Sequence, residues 1–416
     1  MKAFQQKMDF GIVHLHTSGN GRIFLDNGLP AFYNSGRRAE FRGRNPAQKR
    51  VSHGETAGKH RRKAALPAER NGLEMVTMSQ IARAAGVSRG TVDRVLNHRG
   101  GVNRETVERV LRAAEELRYV PNPVAKSLSA RKRDILLTWI LFNPEKAVFY
   151  QDVLLGIQTA AQELRESGVT VKTRFVNSWG EEDFLTQIDA AVEEGTSGLV
   201  IAGLNLPAIA RRLREVSASG IPVVVANSHI DDCGQLAFVG SDSYRAGRAA
   251  AELIRLVERQ EVRLGVMLGF RSSCCHMERL AGLRDGLTES GLPLRLEFLE
   301  NSEDDEFTAF DVVKTQLQKH PDINTLFLAT GNGALGACRA LERLALPRPP
   351  LVIGYDATPG IREMMEKKII FATICQEPER QGAEPLRILF SYLALGVPPV
   401  RQDYYTDNQI LIREML

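Results

Sequence analysis

The chain has 416 residues, of which 43% are hydrophobic and 25% are charged. These are ordinary values for a soluble protein of two or three domains, and they exclude a collagen-like or wholly disordered chain. No apolar run approaches the roughly 20 residues that cross a bilayer, and the N-terminus lacks a signal-peptide pattern. We therefore expect a cytoplasmic protein with no membrane partner. The five cysteines lack CxxC spacing, which predicts neither a disulfide framework nor a metal site.

The net charge of +4 conceals parts of opposite sign. Residues 1–74 carry a net charge of +8, residues 75–133 carry +7, and residues 134–416 carry −11. A basic module therefore precedes an acidic one. This asymmetry indicates that the first part binds a polyanion and that the second binds a small molecule or a protein.

Residues 1–74 show neither a helical nor a strand period, and they contain scattered Gly, Pro and Arg. We expect a basic, disordered extension. The basic run at 59–63 is compatible with a nucleic-acid arm, but a solvated tail is the simpler interpretation. Helical patterning begins at Met75 to Met78, and either methionine would make a natural start of the protein.

Residues 75–120 have the pattern of short amphipathic helices. Thr77 or Ser79 is suited to cap the first helix, Gly86 to end it, and Ser88 to cap the second. The three helices are predicted at residues 77–85, 89–97 and 104–118. Their inward faces are predicted to be Ile81, Ala82, Ala85, Val92, Val95, Leu96, Val107, Val110, Leu111, Ala114 and Leu117. The sequence thus predicts a helix-turn-helix head that reads DNA.

The second helix of such a head lies in the major groove, with its N-terminal residues facing the bases. The outward residues there are Arg89, Gly90, Asp93 and Arg94. The two arginines have the donors for bidentate hydrogen bonds to guanine. Asp93 is able to accept from cytosine, although we favour a role as the i, i+4 partner of Arg89. A solvated charged face is the alternative for all four residues.

Residues 121–133 have the pattern of a hinge helix and linker. Asn122 is a suitable cap, Pro123 fits the first helical position, and a helix over 124–129 is marginal by itself. A segment that is helical only when it is held suits a hinge that DNA orders. Leu128 is then an exposed apolar tip for wedging into the minor groove. The alternative is a linker whose leucine packs on the following domain.

Residues 134–416 alternate short apolar runs with amphipathic stretches, which is typical of parallel sheets covered by helices. Two such sheets make two lobes with a cleft between them, and ligands of open parallel sheets bind beyond the carboxyl ends of the strands. We therefore predict a two-lobed α/β domain that binds an effector and dimerises. The predicted strands are 135–141, 169–176, 198–202, 222–226, 237–240, 264–269, 294–299, 325–329, 351–355 and 371–374.

The residues of the head resemble a known family. The segment TMSQIARAAGVSRGTVDRVLN at 77–97, with YVPNPVAKSL at 119–128, closely resembles the DNA head and hinge of the lactose-repressor family. Four later segments are similar to that family's effector domain, in the branch related to periplasmic ribose-type and polyol-type binding proteins. They are FVGSDSYRAGR (238–248), ERLAGLRDG (278–286), VIGYDATPG (352–360) and TICQEP (373–378). The resemblance covers roughly residues 76–416.

The resemblance implies which residues of the head and hinge contact DNA. Gly90 and Asp93 depart from the family's usual residues, so we do not expect the family's commonest operator. The phosphate-contacting positions are Thr77, Ser88 and Asn97. The base-reading positions are Arg89, Gly90 and Arg94. The minor-groove positions are Ala125, Lys126 and Leu128.

The resemblance also implies that Arg279, Asp356 and Gln376 hydrogen-bond sugar hydroxyls. Their chemistry agrees, because a carboxylate accepts from two hydroxyls, a guanidinium donates to two, and an amide does both. Asn227 and Ser228 stand where ribose-type relatives carry Asp and Arg, which is unfavourable for ribose itself. The segment 329–336 lacks the acidic residue common in repressors, leaving Asn332 a weak contact. The candidate ring-stacking walls, for which core packing is the alternative, are Phe149, Tyr150, Trp179 and Phe270.

These observations predict a ligand-responsive transcriptional regulator, most often a repressor, of genes for sugar or polyol uptake and catabolism. A homodimer on a palindromic operator is expected, because two heads then read two half-sites. Alternatives are a purine or phosphorylated effector, or a solute-binding protein. The sequence lacks Walker A, GxSxG and HExxH motifs, so we predict no enzyme and no cofactor. His276, near the cleft, is interpreted as a cap or ligand contact.

Overall fold

The computed structural model describes residues 76–96, 101–117 and 134–416. Several predictions concern residues outside these ranges: the extension at 1–74, the start at Met75, Asn97, and the hinge with Ala125, Lys126 and Leu128. Within the described part of the chain, no helix is both long and apolar enough to span a membrane.

The head consists of three helices, α1 (Met78–Ala85), α2 (Arg89–Leu96) and α3 (Arg104–Glu116). Thr77 caps α1 in a capping box, in which the Thr77 N–H donates to Gln80 Oε1 at 2.6 Å. Gly86 ends α1 in the left-handed conformation, with φ of 65°. The Ser88 hydroxyl then accepts from the Thr91 N–H at 3.1 Å and begins α2. The predicted helix, tight turn and helix are therefore present.

The core of the head is formed by Ile81, Val92 and Val110, which are fully buried. One predicted inward residue was wrong. Leu111 is 47% exposed, and Ala113 is buried. The buried stripe of α3 therefore runs through 110 and 113, at a spacing of three, and Leu111 lies beside it toward solvent.

Two lobes follow, each with a six-stranded sheet between helices. The first lobe contains β1 (Ile135–Phe142), α4 (Phe149–Arg165), β2 (Val169–Val176), α5 (Glu181–Glu193), β3 (Gly198–Ile201), α6 (Pro207–Ala218), β4 (Val223–Ala226), β5 (Ala237–Ser241), and later α12 (Pro378–Leu395) and β11 (Asp403–Thr406). The second contains α7 (Ser243–Val257), β6 (Val262–Leu268), α8 (Cys274–Glu289), β7 (Leu294–Asn301), α9 (Glu306–Lys319), β8 (Thr325–Leu328), α10 (Gly331–Leu344), β9 (Leu351–Tyr355), α11 (Pro359–Glu366), β10 (Ala372–Cys375) and β12 (Gln409–Ile412).

The first sheet has the order β11-β5-β4-β3-β1-β2, and the second has β12-β10-β9-β8-β6-β7. The pairs are parallel except β10 with β12. The ten predicted strands are all present, each within two residues of its predicted bounds. The central strands β3 and β4 are buried throughout, which explains their continuous apolar sequences.

The chain crosses between the lobes three times: between β5 and α7, between β10 and α12, and between β11 and β12. The crossovers are tied together, since Asn408 Nδ2 donates to the Asp242 carbonyl at 2.9 Å. Strands β11 and β12, one on each side of the third crossover, were not predicted. Each is an edge strand of only four residues, and its side chains are mostly exposed or half-buried.

Pairs of helices within each lobe approach closely at glycines. A Cβ at Gly282 of α8 would lie 2.0 Å from the Tyr244 carbonyl oxygen, and one at Gly247 of α7 would lie 2.1 Å from the Arg279 carbonyl oxygen. Only glycine leaves room for backbone at this distance. In the first lobe, Gly156 and Gly382 join α4 to α12 in the same way. The α7–α8 contact fixes the helix that carries Arg279.

Candidate effector cavity and nucleic-acid interface

A cavity of about 50 Å³ lies between the lobes, at the carboxyl ends of the strands. It brings together all seven predicted effector residues: Phe149, Tyr150, Asn227, Phe270, Arg279, Asp356 and Gln376. Trp179, Ser228, His276 and Asn332 also line it, as do Ala147, Gly203, Leu204, Ser273, Cys275, Asp304, Thr330 and Gly331, which the sequence analysis did not select. A larger depression, of about 1250 Å³, lies at the opposite, amino ends of β6, β8 and β9, away from these side chains.

Arg279 lies in α8 and is 2% exposed. Its Nη1 donates to the Ala329 carbonyl at 2.8 Å, and its Nη2 donates to Gln376 Oε1 at 3.0 Å. The guanidinium lies over the Tyr355 ring, 3.9 Å from the centroid, in a cation–π contact. These contacts fix the cation, whose Nε has no protein partner.

Asp356 follows β9 directly and has left-handed φ of 66°. Its Oδ1 accepts from Gln376 Nε2 at 2.8 Å, and its carbonyl accepts from the buried Thr373 hydroxyl at 2.6 Å. Burial raises the pKa of Asp356 to about 6, although the Arg279 charge and the Gln376 hydrogen bond oppose this rise. At neutral pH the residue is therefore mainly a carboxylate, which is the form that accepts from hydroxyl groups.

Asp304 is the main cavity residue that the sequence analysis missed. Its carboxylate accepts from the Thr330 hydroxyl and the Gly333 N–H, at the start of α10, and burial raises its pKa. Thr330 itself makes no side-chain cap for that helix. The segment 329–336 lacks an acidic residue, and Asp304 supplies one from the β7–α9 loop. The acidic run at 303–306 is a sequence signal for a carboxylate near the cavity, but it does not identify which of its residues faces the cavity.

His276 is buried, and burial lowers its pKa to about 3. Its Nδ1 accepts from the Phe270 N–H at 3.2 Å. The ring is therefore neutral, and its proton lies on Nε2. Nearby, the Cys275 N–H donates to the Ser228 hydroxyl at 3.2 Å, which ties the start of α8 to the first lobe.

The four aromatic residues line the cavity and also pack against other rings. Trp179 stacks on Phe142, with centroids 3.9 Å apart and planes at 9°, and it contacts Phe270 at 5.0 Å. Phe149 meets Tyr150 edge to face at 5.3 Å. Ring packing therefore holds these four side chains in the cavity wall. Core packing and ring stacking against a ligand are thus compatible interpretations of these residues.

On the head, α2 separates core from solvent as predicted. Val92 and Val95 are buried, whereas Arg89, Gly90 and Arg94 are exposed. Asp93 is half-buried on the same helix. The predicted base-reading residues therefore lie on one accessible face, opposite the residues that pack inward.

A helix-turn-helix head and a two-lobed α/β domain with a polar cavity define a class of protein: a regulator with a DNA-binding module and a ligand-binding module. Residues 77–122 match the bacterial regulatory proteins of the lacI family. Residues 139–396 match the periplasmic binding protein domain. The chain therefore combines a lacI-family DNA-binding domain with a domain of the periplasmic-binding-protein family, whose match covers more than half of the chain.

Among curated relatives, the chain is 27% identical over 349 residues to the HTH-type transcriptional regulator CelR of Thermobifida fusca, covering 81% of this chain and 97% of the relative. It is 24% identical to catabolite control protein A of Priestia megaterium, covering 76% and 92%. It is 29% identical to the HTH-type transcriptional regulator GntR of Pseudomonas aeruginosa, covering 76% and 89%.

Solved structures share the fold of the two-lobed domain. A glucose-galactose binding protein, GanP of Geobacillus stearothermophilus, superposes with a TM-score of 0.64 at 21% identity, covering 68% of this chain and 99% of that one. A solute-binding protein of Bacillus halodurans with bound myo-inositol superposes with a TM-score of 0.62 at 19% identity, covering 68% and 95%.

Proposed function

We propose that the chain is a transcriptional repressor whose operator affinity changes when a sugar or polyol binds between the lobes. The observation that carries this proposal is the polar, aromatic-walled cavity at the lobe junction, in one chain with a DNA-reading head. A ligand that touches both lobes favours one arrangement of them, and the hinge transmits that preference to the heads. A coupling of about 1 to 3 kcal/mol is typical of such switches. We further propose a homodimer on a palindromic operator.

The charges of the cavity support an uncharged effector. Among the described residues that line it, Arg279 is the one Lys or Arg side chain, and two aspartates, Asp304 and Asp356, accompany it. Arg279 already donates to Ala329 and Gln376. A phosphate or carboxylate on the ligand would add a buried anion to a site without surplus positive charge. This argument disfavours the phosphorylated effector and leaves a purine as the alternative.

The test is a thermal-shift and calorimetric screen of the full chain. The neutral ligands are D-glucose, D-galactose, D-arabinose and myo-inositol, and the anionic ones are D-gluconate, D-glucuronate and glucose 6-phosphate. A ligand at a hundred times its Kd adds about 2.7 kcal/mol of stability, so a neutral ligand should raise the midpoint by several degrees. Hypoxanthine is added to the screen as the purine. Binding of the anions alone would contradict the uncharged effector, and hypoxanthine binding alone would favour the purine.

For the head, Arg89→Ala should weaken binding to the protein's own operator by about 1 to 3 kcal/mol and relax specificity at one base pair. The physical reason is the loss of two donors to one base edge. The measurement is competition binding against a library of single-base operator variants. Arg112→Ala, at an exposed position of α3, is the matched control and should leave the base preferences unchanged. Uniform weakening across all sequences would assign Arg89 to the phosphates instead.

A further inference from the structure

Gln381 is a fully buried polar residue in the first turn of α12 and does not line the effector cavity. Its two amide atoms join residues that do line it. Gln381 Nε2 donates to the Gln376 carbonyl at 2.7 Å, and Gln381 Oε1 accepts from Asn227 Nδ2 at 3.1 Å. A buried amide with both ends engaged is held in a single orientation.

The Gln376 carbonyl is a fixed point of this network. It lies on the second crossover, and it also accepts from the Thr406 hydroxyl of the third crossover at 2.9 Å. The Gln376 side chain contacts Arg279 and Asp356 in the second lobe. It also accepts from the Ser241 hydroxyl, beside the first crossover, at 3.4 Å. Gln376 therefore meets all three crossovers and the effector cavity.

The direction of the hydrogen bonds follows from that carbonyl. A carbonyl only accepts, so Gln381 must turn its NH₂ group toward Gln376 and its oxygen toward Asn227. Asn227, held at left-handed φ of 65°, must then turn its own NH₂ group toward Gln381. Asn227 Oδ1 then lies on the side of the amide away from Gln381 and is the hydrogen-bond acceptor that Asn227 offers to a ligand.

We propose that Gln381 is a positioning residue for effector recognition, which orients Asn227 so that it presents an acceptor to a hydroxyl group of the effector. It also ties this first-lobe contact to Gln376 at the lobe junction. The inference rests on the proposed function, because it assumes that a hydroxylated ligand occupies the cavity.

The test uses the full chain and calorimetric titration with D-glucose, D-galactose, D-arabinose and myo-inositol. Gln381→Met keeps the length of the side chain but removes both hydrogen bonds, so Asn227 loses its fixed orientation. Affinity for the sugar that the wild type binds should fall about tenfold or more, the range expected when a buried polar group loses its partner. If Gln381→Met does not fold, Gln381→Leu replaces it. It also removes both hydrogen bonds, and the same loss of affinity is expected.

Two further variants separate positioning from general stability. Leu389→Ala, at a fully buried position of the same helix, lowers the melting temperature without touching the network and should retain sugar affinity. Asn227→Leu combined with Gln381→Met should lose no more affinity than Asn227→Leu alone, because Gln381 acts through Asn227. Additive losses, or wild-type affinity in Gln381→Met, would overturn the inference while the proposed function stands. Failure of the wild type to bind any of the four sugars would overturn the sugar effector, and the inference with it.

Discussion

Asp356→Ala should abolish the effector response while leaving operator affinity within about threefold of the wild type. Asp356 has a buried carboxylate that is free to accept from ligand hydroxyls beyond its one bond from Gln376. Hydrogen bonds to charged groups are each worth about 1.5 to 3 kcal/mol, so loss of two should weaken effector binding at least about a hundredfold. The substitution lies in the second lobe, outside the residues that are predicted to read DNA.

The measurement pairs calorimetry with operator titration, each with and without the ligand that the screen selects. Asp322→Ala is the matched control. It removes an exposed carboxylate that pairs with Arg263 at 2.8 Å, at the amino end of the same sheet, and should change neither affinity. If Asp356→Ala lost operator binding together with effector binding, the residue would be structural.

The pH dependence gives the same residue a second readout. Burial holds the pKa of folded Asp356 at about 6, above its ordinary value of 3.8, so the folded state binds this proton more tightly than the unfolded state does. The resulting stabilisation of the ligand-free protein is present below pH about 4 and is lost as the pH rises through about 6. Effector affinity should change in the opposite sense, because hydroxyls need the carboxylate. Asp356→Asn should reduce both dependences, measured by melting and titration at pH 5 and 7.5, by the part that Asp356 contributes.

The sequence predicted the lobes well because their central strands are buried on both faces. Strand β9, buried at all but its first residue, occupies the predicted residues 351–355. The β11 and β12 sequences, DYYT and QILI, lie at sheet edges and are mostly exposed or half-buried. Both strands have only four residues and bury little apolar surface, so the tertiary structure is what defines them.

The sequence predicted those cavity residues that stand directly after a strand or in a recognised motif. Asp356 and Gln376 are of this kind. Asp304 is not, because it lies in a run of four acidic residues, 303–306, that serve different purposes: Asp305 accepts from the Thr308 N–H at 2.7 Å to cap α9, whereas Asp304 reaches α10. Gln381 was also hidden, since a polar residue early in a helix suggests a solvent-facing position and only packing shows it to be buried.

Gly282→Ala should destabilise the two-lobed domain and weaken effector binding together. The new methyl carbon would lie 2.0 Å from the Tyr244 carbonyl oxygen, which is backbone and has no rotamer to adopt, so α7 and α8 must separate. Overpacking of this kind costs about 1 to 3 kcal/mol or more, which corresponds to a melting temperature lower by several degrees. Because α8 carries Arg279 and His276, its displacement also moves two residues that line the cavity.

Gly360→Ala is the matched control for this change. Gly360 lies in α11, and its added carbon would be 3.0 Å from the flexible end of the Leu335 side chain. Within a helix, alanine is preferred to glycine by about 0.5 to 1 kcal/mol. Melting should therefore change little or rise, and effector affinity should stay at the wild-type value. Wild-type melting and affinity in Gly282→Ala would mean that the α7–α8 contact yields without cost. The position of Arg279 would then depend on its bonds to Ala329 and Gln376 rather than on the helix that carries it.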